Sequence, residues 1–335
     1  MIRTHRAVAA WCCVAGLLGS ALAGCGGHSH QGTTGARIAA VSHAAPPAPV
    51  VALHVVARAR LPAPVQLPGL ALAGGRLLAA GGLGAADASV AGVVAVAGTG
   101  VSAPRVVATL PQAVHDVGAA GLEGRLLVFG GGTASGPTAA VEAVGAGGRV
   151  STAGQLPSPS SDLEATRIGS NVYLVGGYTG SVPLRSILAF APGRPVRTVG
   201  TLPHPLRYAA VAAVGGRLLI AGGTDGTHAR SEIVSFDPAT GRARVVGALP
   251  VPLAHAAGAS LGGTFYILGG RGDGLSSQRR EILAIDPQSG PVRSAGRLPV
   301  ALSDLSAAAF GGRVWVVGGR DAAGTVHDEA WALSR

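Results

Sequence analysis

With 335 residues, 48% hydrophobic and only 13% charged, the chain has ample apolar material for a packed core and lacks the composition of a disordered protein. The formal charge of +10 is carried by 26 arginines and no lysine, spread evenly along a chain that is 4% aromatic. A nucleic-acid binder gathers its basic residues on one stripe with aromatics to stack on bases, so nucleic acid is not an expected partner.

The opening "MIRTHRAVAAWCCVAGLLGSALAGC" has a basic start at Arg3 and Arg6, an apolar run, and small residues before Cys25. That is the layout of an export signal over residues 1–24. Gly16, Gly19, Ser20 and Gly24 make it a poor membrane span. Its end, "LAGC", resembles the bacterial lipobox, which implies cleavage before Cys25 and a lipid on that cysteine. The expectation is a monomeric protein anchored through Cys25 to the extracytoplasmic face of a bacterial membrane. Residues 25–49, rich in Gly, Ala, Pro and Ser, read as a flexible tether. Cys12 and Cys13 would leave with the signal, so no free thiol remains for disulfides, thiolate metal sites or cysteine nucleophiles.

From residue 50 onward one unit recurs six times. The stretches "RLLAAGG", "RLLVFGG", "NVYLVGG", "RLLIAGG", "TFYILGG" and "RVWVVGG" end at Gly82, Gly131, Gly177, Gly223, Gly270 and Gly319. Each follows a Leu-Pro pair, at Pro62, Pro111, Pro157, Pro203, Pro250 and Pro299, and the second glycine lies 20 residues beyond the proline every time. Successive prolines are 49, 46, 46, 47 and 49 apart, so a rigid hairpin is joined by variable loops. In the fourth unit, "YAAVAAV" and "LLIAGG" read as a hairpin, "SEIVSFDPATG" as a third strand closed by an Asp-Pro turn, and "RARVVGALP" as a fourth. Four strands per unit, six times over, predict an all-β, six-bladed propeller over residues 50–335. The glycine pair is followed by another strand rather than a helix, and there is no lysine, so neither a dinucleotide nor a P-loop site is expected.

The double glycine after an apolar strand and the turn in "FDPATGRARVVGALP" resemble the kelch family of β-propellers. The family's tryptophan falls on Ala243 here, and its aromatic is kept only at Phe190 and Phe236, with Ile285 in its place in the fifth unit. The last unit stops after its third strand, in "DEAWALSR", while "VVARARLP" at Val55 to Pro62 aligns with the fourth strands of other units. An N-terminal strand is therefore expected to complete the final blade and leave no open edge.

The residues four and five places after each proline enter the innermost strand and should ring one mouth of the channel. They are Gln66 and Leu67, His115 and Asp116, Ser161 and Asp162, Arg207 and Tyr208, Ala254 and His255, Ser303 and Asp304. Residues just past the double glycines, among them Thr224, Asp225, Arg271, Asp273, Arg320 and Asp321, should share that face. The candidate ligand site is accordingly Asp116, Asp162, Arg207, Tyr208, His255, Asp304, Asp225, Arg271 and Arg320. Asp116 and Asp162 sit on adjacent blades and Asp304 across the ring, so a metal is not expected. Glu142, Glu232, Glu281 and Glu329 recur at the start of third strands, which suggests bonds between blades. "RGD" at Arg271 to Asp273 is unremarkable in a chain rich in both Arg and Gly.

The family resemblance implies a binding module for a partner protein, glycan or small ligand at the channel mouth, with no cofactor. Two enzymatic comparisons bear on it. Galactose-oxidase-like members need a cysteine cross-linked to tyrosine, and the mature domain has none. Periplasmic sialic-acid mutarotases are similar in being six-bladed exported kelch proteins, which leaves a sugar-modifying enzyme as the alternative. A structural spacer is the third reading, to be favoured if side chains plug the mouth.

Overall fold

The computed structural model describes residues 52–285, 287 and 291–335. The predicted signal, Cys25 and the tether lie outside the described residues.

Six four-stranded antiparallel sheets are arranged as blades around a ring. Each blade runs outward from a short innermost strand, and these strands are Gly69–Ala73, Gly118–Leu122, Glu164–Ile168, Ala210–Val214, Ala257–Leu261 and Ser306–Phe310. Each innermost strand packs on that of the next blade, and the sixth packs on the first. The expected six-bladed propeller is what forms. Blade six takes Ser306–Phe310, Arg313–Val317 and Glu329–Ser334 from the C-terminal end and His54–Arg60 from the N-terminal end. His54–Arg60 pairs antiparallel with Glu329–Ser334, through a bulge between Val55 and Ala57, and Arg60 Nη1 meets Asp328 Oδ2 at 2.9 Å across the seam. A small hairpin, Gly132–Thr133 with Gly136–Pro137, decorates blade two and was not foreseen.

The apolar core is divided into six clusters, one between each pair of neighbouring blades. Phe190 of blade three meets Phe129 of blade two edge to face, with centroids 5.4 Å apart, and Phe236 is fully buried between blades three and four. Innermost strands come close enough that side chains must be small. A methyl added at Gly69 would lie 2.7 Å from the Ala119 methyl, and one at Gly121 would overlap the Leu72 carbonyl.

The double glycines join the blades. The N–H of the second glycine donates to a backbone carbonyl three residues past the proline of the next unit: Gly82 to Val114, Gly131 to Ser160, Gly177 to Leu206, Gly223 to Leu253, Gly270 to Leu302, and Gly319 to Val65, all at 2.8–2.9 Å. The first glycine gives that carbonyl room. A Cβ on Gly222 would run into Leu253 O, and both Gly222 (φ 63°) and Gly223 (φ 90°) occupy conformations that L side chains resist. The pair is thus a joint between blades, made by backbone alone.

Candidate functional site

The residues five places past each proline form a second backbone ring, at the throat. Asp116 N donates to Leu67 O, Asp162 N to Asp116 O, Tyr208 N to Asp162 O, His255 N to Tyr208 O, Asp304 N to His255 O, and Leu67 N to Asp304 O. All six have left-handed φ, between 54° and 60°, and they are six of the eight non-glycine residues that do so among the described residues. Their immediate neighbours pair with the residue after each double glycine, as in Arg207 with Thr224, Ala254 with Arg271 and Ser303 with Arg320. The mouth and the loops therefore share one face, as the repeat register predicts.

Side chains of the ring reach one another. On one side, Arg207 forms an ion pair with Asp162 Oδ2, donates from Nη2 to Tyr208 Oη at 3.0 Å, and lies over the rings of Tyr178 (4.2 Å) and Tyr208 (4.6 Å). Tyr208 Oη donates to Asp116 Oδ2 at 3.3 Å. Burial raises the Asp116 carboxyl well above the usual carboxylate range, and the charges of Asp162 and Asp304 and a hydrogen bond with Asp162 add to the rise; the Tyr208 hydroxyl opposes it. Burial likewise raises the Tyr208 phenol, and lowers His115, whose Nδ1 is 2.8 Å from Ser89 Oγ. Arg207 is pulled the other way from its burial by Tyr208, Asp162 and Asp116, which keep it cationic.

On the other side, Tyr208 stacks on His255 with centroids 3.8 Å apart. His255 Nδ1 lies 2.5 Å from Asp304 Oδ1, and Arg271 Nη2 lies 2.9 Å from His255 Nε2. A guanidinium has only donors, so Nε2 accepts and the imidazole proton sits on Nδ1, donated to Asp304. Ser303 Oγ donates to Asp304 Oδ2 at 2.5 Å. Burial works against ionisation of Asp304, but the hydrogen bonds from His255 and Ser303 and the charge of Arg271 outweigh it and hold this carboxyl low.

Above this network, between the loops of blades four and five, lies an open pocket of about 330 Å³. Arg207, Tyr208, His255 and Arg271 form its floor and walls, Thr224 and Thr227 bring hydroxyls, and Leu275, 81% exposed, forms an apolar rim. Arg207 Nε is buried with no hydrogen-bond partner. Seven of the nine predicted site residues are therefore brought together. Asp225 is not in the pocket: it accepts from Thr227 N and His228 N of its own turn and pairs with Arg230, contacts that hold its carboxyl low. Nor is Arg320, which turns to Asp87 of blade one at 3.1 Å. Asp273 of the RGD triplet holds His228 Nδ1 at 3.2 Å. Among the described residues no group of three His, Cys, Asp or Glu is placed to hold a metal ion.

Three of the four recurrent glutamates face partners of their own blade rather than linking blades, and Glu142 has a buried Oε2 with no hydrogen-bond partner. Glu232 faces Arg230, Glu281 faces Arg297, and Glu329 faces His327 and Arg60, each within its own blade. Register explains the Glu281–Arg297 and Glu329–Arg60 contacts, since the start of the third strand lies beside the fourth strand of the same sheet. Sequence reasoning also passed over Tyr178 and Glu164. Glu164 occupies the seventh place after its proline, where the other five blades have Gly69, Gly118, Ala210, Ala257 and Ser306, so that single column carried the signal.

The Kelch motif family matches residues 205–242, which span the first three strands of blade four. The domain is a six-bladed propeller whose fourth blade carries a kelch motif. A solved structure described as "Structure of YjhT" is similar over 82% of this chain and 96% of its own, with a TM-score of 0.71 and 14% identity. That likeness establishes the fold alone, and a fold shared with 783 solved chains does not select a function. No curated relative matches the chain in sequence.

Proposed function

We propose that this propeller is a binding module that recognises a partner protein, a glycan or a small ligand at the pocket between the loops of blades four and five. The observation that carries the reading is the convergence of two guanidiniums, a stacked Tyr-His pair, two threonine hydroxyls and an exposed leucine on one open cavity of about 330 Å³. That mixture of apolar surface with a few oriented polar groups is how ligand sites are built. The throat beneath is crossed by its own side chains, as a spacer would require, yet the pocket stands open beside it. The same reading places the domain outside the cytoplasm, carried by residues 25–49 on a lipid attached to Cys25.

A panel of glycans and sugars tests the proposal. Thr227→Trp would fill the pocket from an exposed loop residue with no side-chain role in the throat, and Arg271→Met would remove a guanidinium. Binding at least about tenfold weaker in Thr227→Trp, at unchanged melting temperature, supports the pocket; equal binding rules it out.

A second reading rests on His255, the imidazole in this pocket, whose Nδ1 proton is fixed by Asp304. A ligand that drew Arg271 away would free Nε2 to accept a proton, as sugar-anomer exchange requires. Exchange of anomers measured by NMR across the same panel, lost in His255→Gln, would establish the enzyme; no exchange with any sugar would exclude it.

A further inference from the structure

The two ends of the ring differ in charge. First and third strands run away from the mouth and second and fourth strands run back, so the turns that follow the first and third strands lie at the far end. The turn after the first strand carries an arginine in four blades, among them Arg125 and Arg313, and the turn after the third strand adds others, such as Arg149, Arg194 and Arg242. These five are exposed, and none makes a side-chain hydrogen bond or ion pair with a described residue. Among the described residues the acidic side chains at this end are Glu123 and Asp237, and Asp237 is taken up by Arg217 at 3.0 Å. At the mouth end, by contrast, Arg60, Arg207, Arg230 and Arg320 each pair with a carboxylate. Arginines that are spread evenly along the sequence are thus sorted by the repeat, neutralised at one end and bare at the other.

Bare charge of one sign gathered on one end attracts a surface of the opposite sign. Two observations bear on which surface that is. No aromatic side chain among the described residues is exposed, so this end has nothing to stack on bases, as single-stranded nucleic acid requires. The chain also enters the fold here: His54–Arg60 runs from this end to the mouth, with His54 opposite Ser334, and Leu53 N donates to Ala295 O at 2.7 Å. An anchor on the segment before residue 52 draws this end, and not the pocket, toward the surface that holds it. The five bare arginines stand on four different blades, which suits an extended plane of anionic headgroups.

We propose that the end of the propeller opposite the pocket is a docking face for a bilayer of anionic phospholipid.

The inference rests on the membrane-bound reading given above and adds an orientation to it. The arginine end lies on the headgroups, and the pocket between blades four and five opens away from them.

Vesicle sedimentation tests the face on the chain from residue 26 onward, which keeps the whole propeller and lacks both the signal and Cys25. Saturable binding is expected at about 0.05 M salt to phosphatidylcholine vesicles containing about 30% phosphatidylglycerol, with none to phosphatidylcholine alone and loss at about 0.5 M salt, where screening is nearly complete. An arginine at such a surface is worth about fivefold in affinity, so Arg125→Gln, Arg149→Gln and Arg313→Gln together should weaken binding about a hundredfold at unchanged melting temperature. Lysine at the same three positions should retain it. Arg60→Gln, Arg280→Gln and Arg297→Gln remove the same charge from the mouth half and should change binding less than about threefold. Equal loss in the two sets, equal binding to phosphatidylcholine, no binding at low salt, or tighter binding to duplex DNA than to the vesicles would each overturn the assignment. The anchor is read apart from the face, by whether Cys25→Ser releases the full chain from cell membranes washed in about 0.5 M salt.

Discussion

Asp116 of blade two and Asp304 of blade six occupy the same backbone position. Both are buried, both have φ near 55–60°, and both pass a main-chain hydrogen bond around the same ring. Their carboxyls nevertheless move in opposite directions. Asp116 lies between burial and the charge of Asp162 and is held high, whereas Asp304 receives His255 and Ser303 and is held low. The repeat dictates where a side chain sits, and its neighbours on the adjoining blades decide what it does.

The largest effect should come from breaking the frame the two aspartates share. Leu67 N to Asp304 O, at 2.7 Å, crosses from blade six to blade one, beside the seam closed by His54–Arg60. Deleting residues 52–60 would strip blade six of its outer strand and uncover Leu333 and Trp331. A loss on the order of 5 kcal/mol is expected, a large share of an ordinary domain's stability, while deleting 26–45 should leave the melting temperature unchanged. Equal melting temperatures for the two truncations would show that the ring does not depend on its seam.

Substituting each aspartate probes the contrast itself. Asp304→Ala leaves the Nδ1 proton of His255 and the Ser303 hydroxyl without their acceptor, at a cost of about 3 kcal/mol at neutral pH. Because its carboxyl is depressed in the fold, the stability that Asp304 contributes is present above the unfolded value near 3.8 and is lost as pH falls through the depressed one. Acidification should therefore shrink the difference between wild type and variant. Asp116 has the reverse sign: its contribution is complete below 3.8 and is lost as pH rises through the raised value. Asp116→Asn keeps a donor for Asp162 and an acceptor for Tyr208 without a charge to bury, and should be more stable than wild type by on the order of 1 kcal/mol at pH 9, with little difference at pH 5. Urea denaturation of both variants between pH 3 and pH 9 should give differences of opposite sign that both widen toward high pH, Asp304→Ala below wild type and Asp116→Asn above it; differences of the same sign would refute the assigned environments.

The fold was legible because a propeller repeats its constraints. The fixed interval from proline to double glycine reflects a backbone joint that every blade must make, so six copies reported the same geometry, and the missing fourth strand of the last unit named its own replacement. The same register placed Asp116, Asp162, Tyr208, His255 and Asp304 on one ring. What the register did not carry was contact between blades. That Tyr208 reaches Asp116 across blade three, or that Arg320 turns away to Asp87, depends on side-chain reach in three dimensions.

The smallest predicted effect concerns the ring member that makes neither kind of contact. Leu67 holds φ at 56° on blade one, with its side chain outside the apolar clusters on either side of that blade. A left-handed conformation costs a leucine about 1 kcal/mol, and asparagine tolerates it because its short polar side chain bonds locally. If the ring selects side chains by backbone conformation, Leu67→Asn should stabilise the domain by about 0.5 kcal/mol, with the Asp304 and Asp116 pH profiles unchanged. A loss of stability in thermal melts would mean that this position, too, is fixed by what it touches.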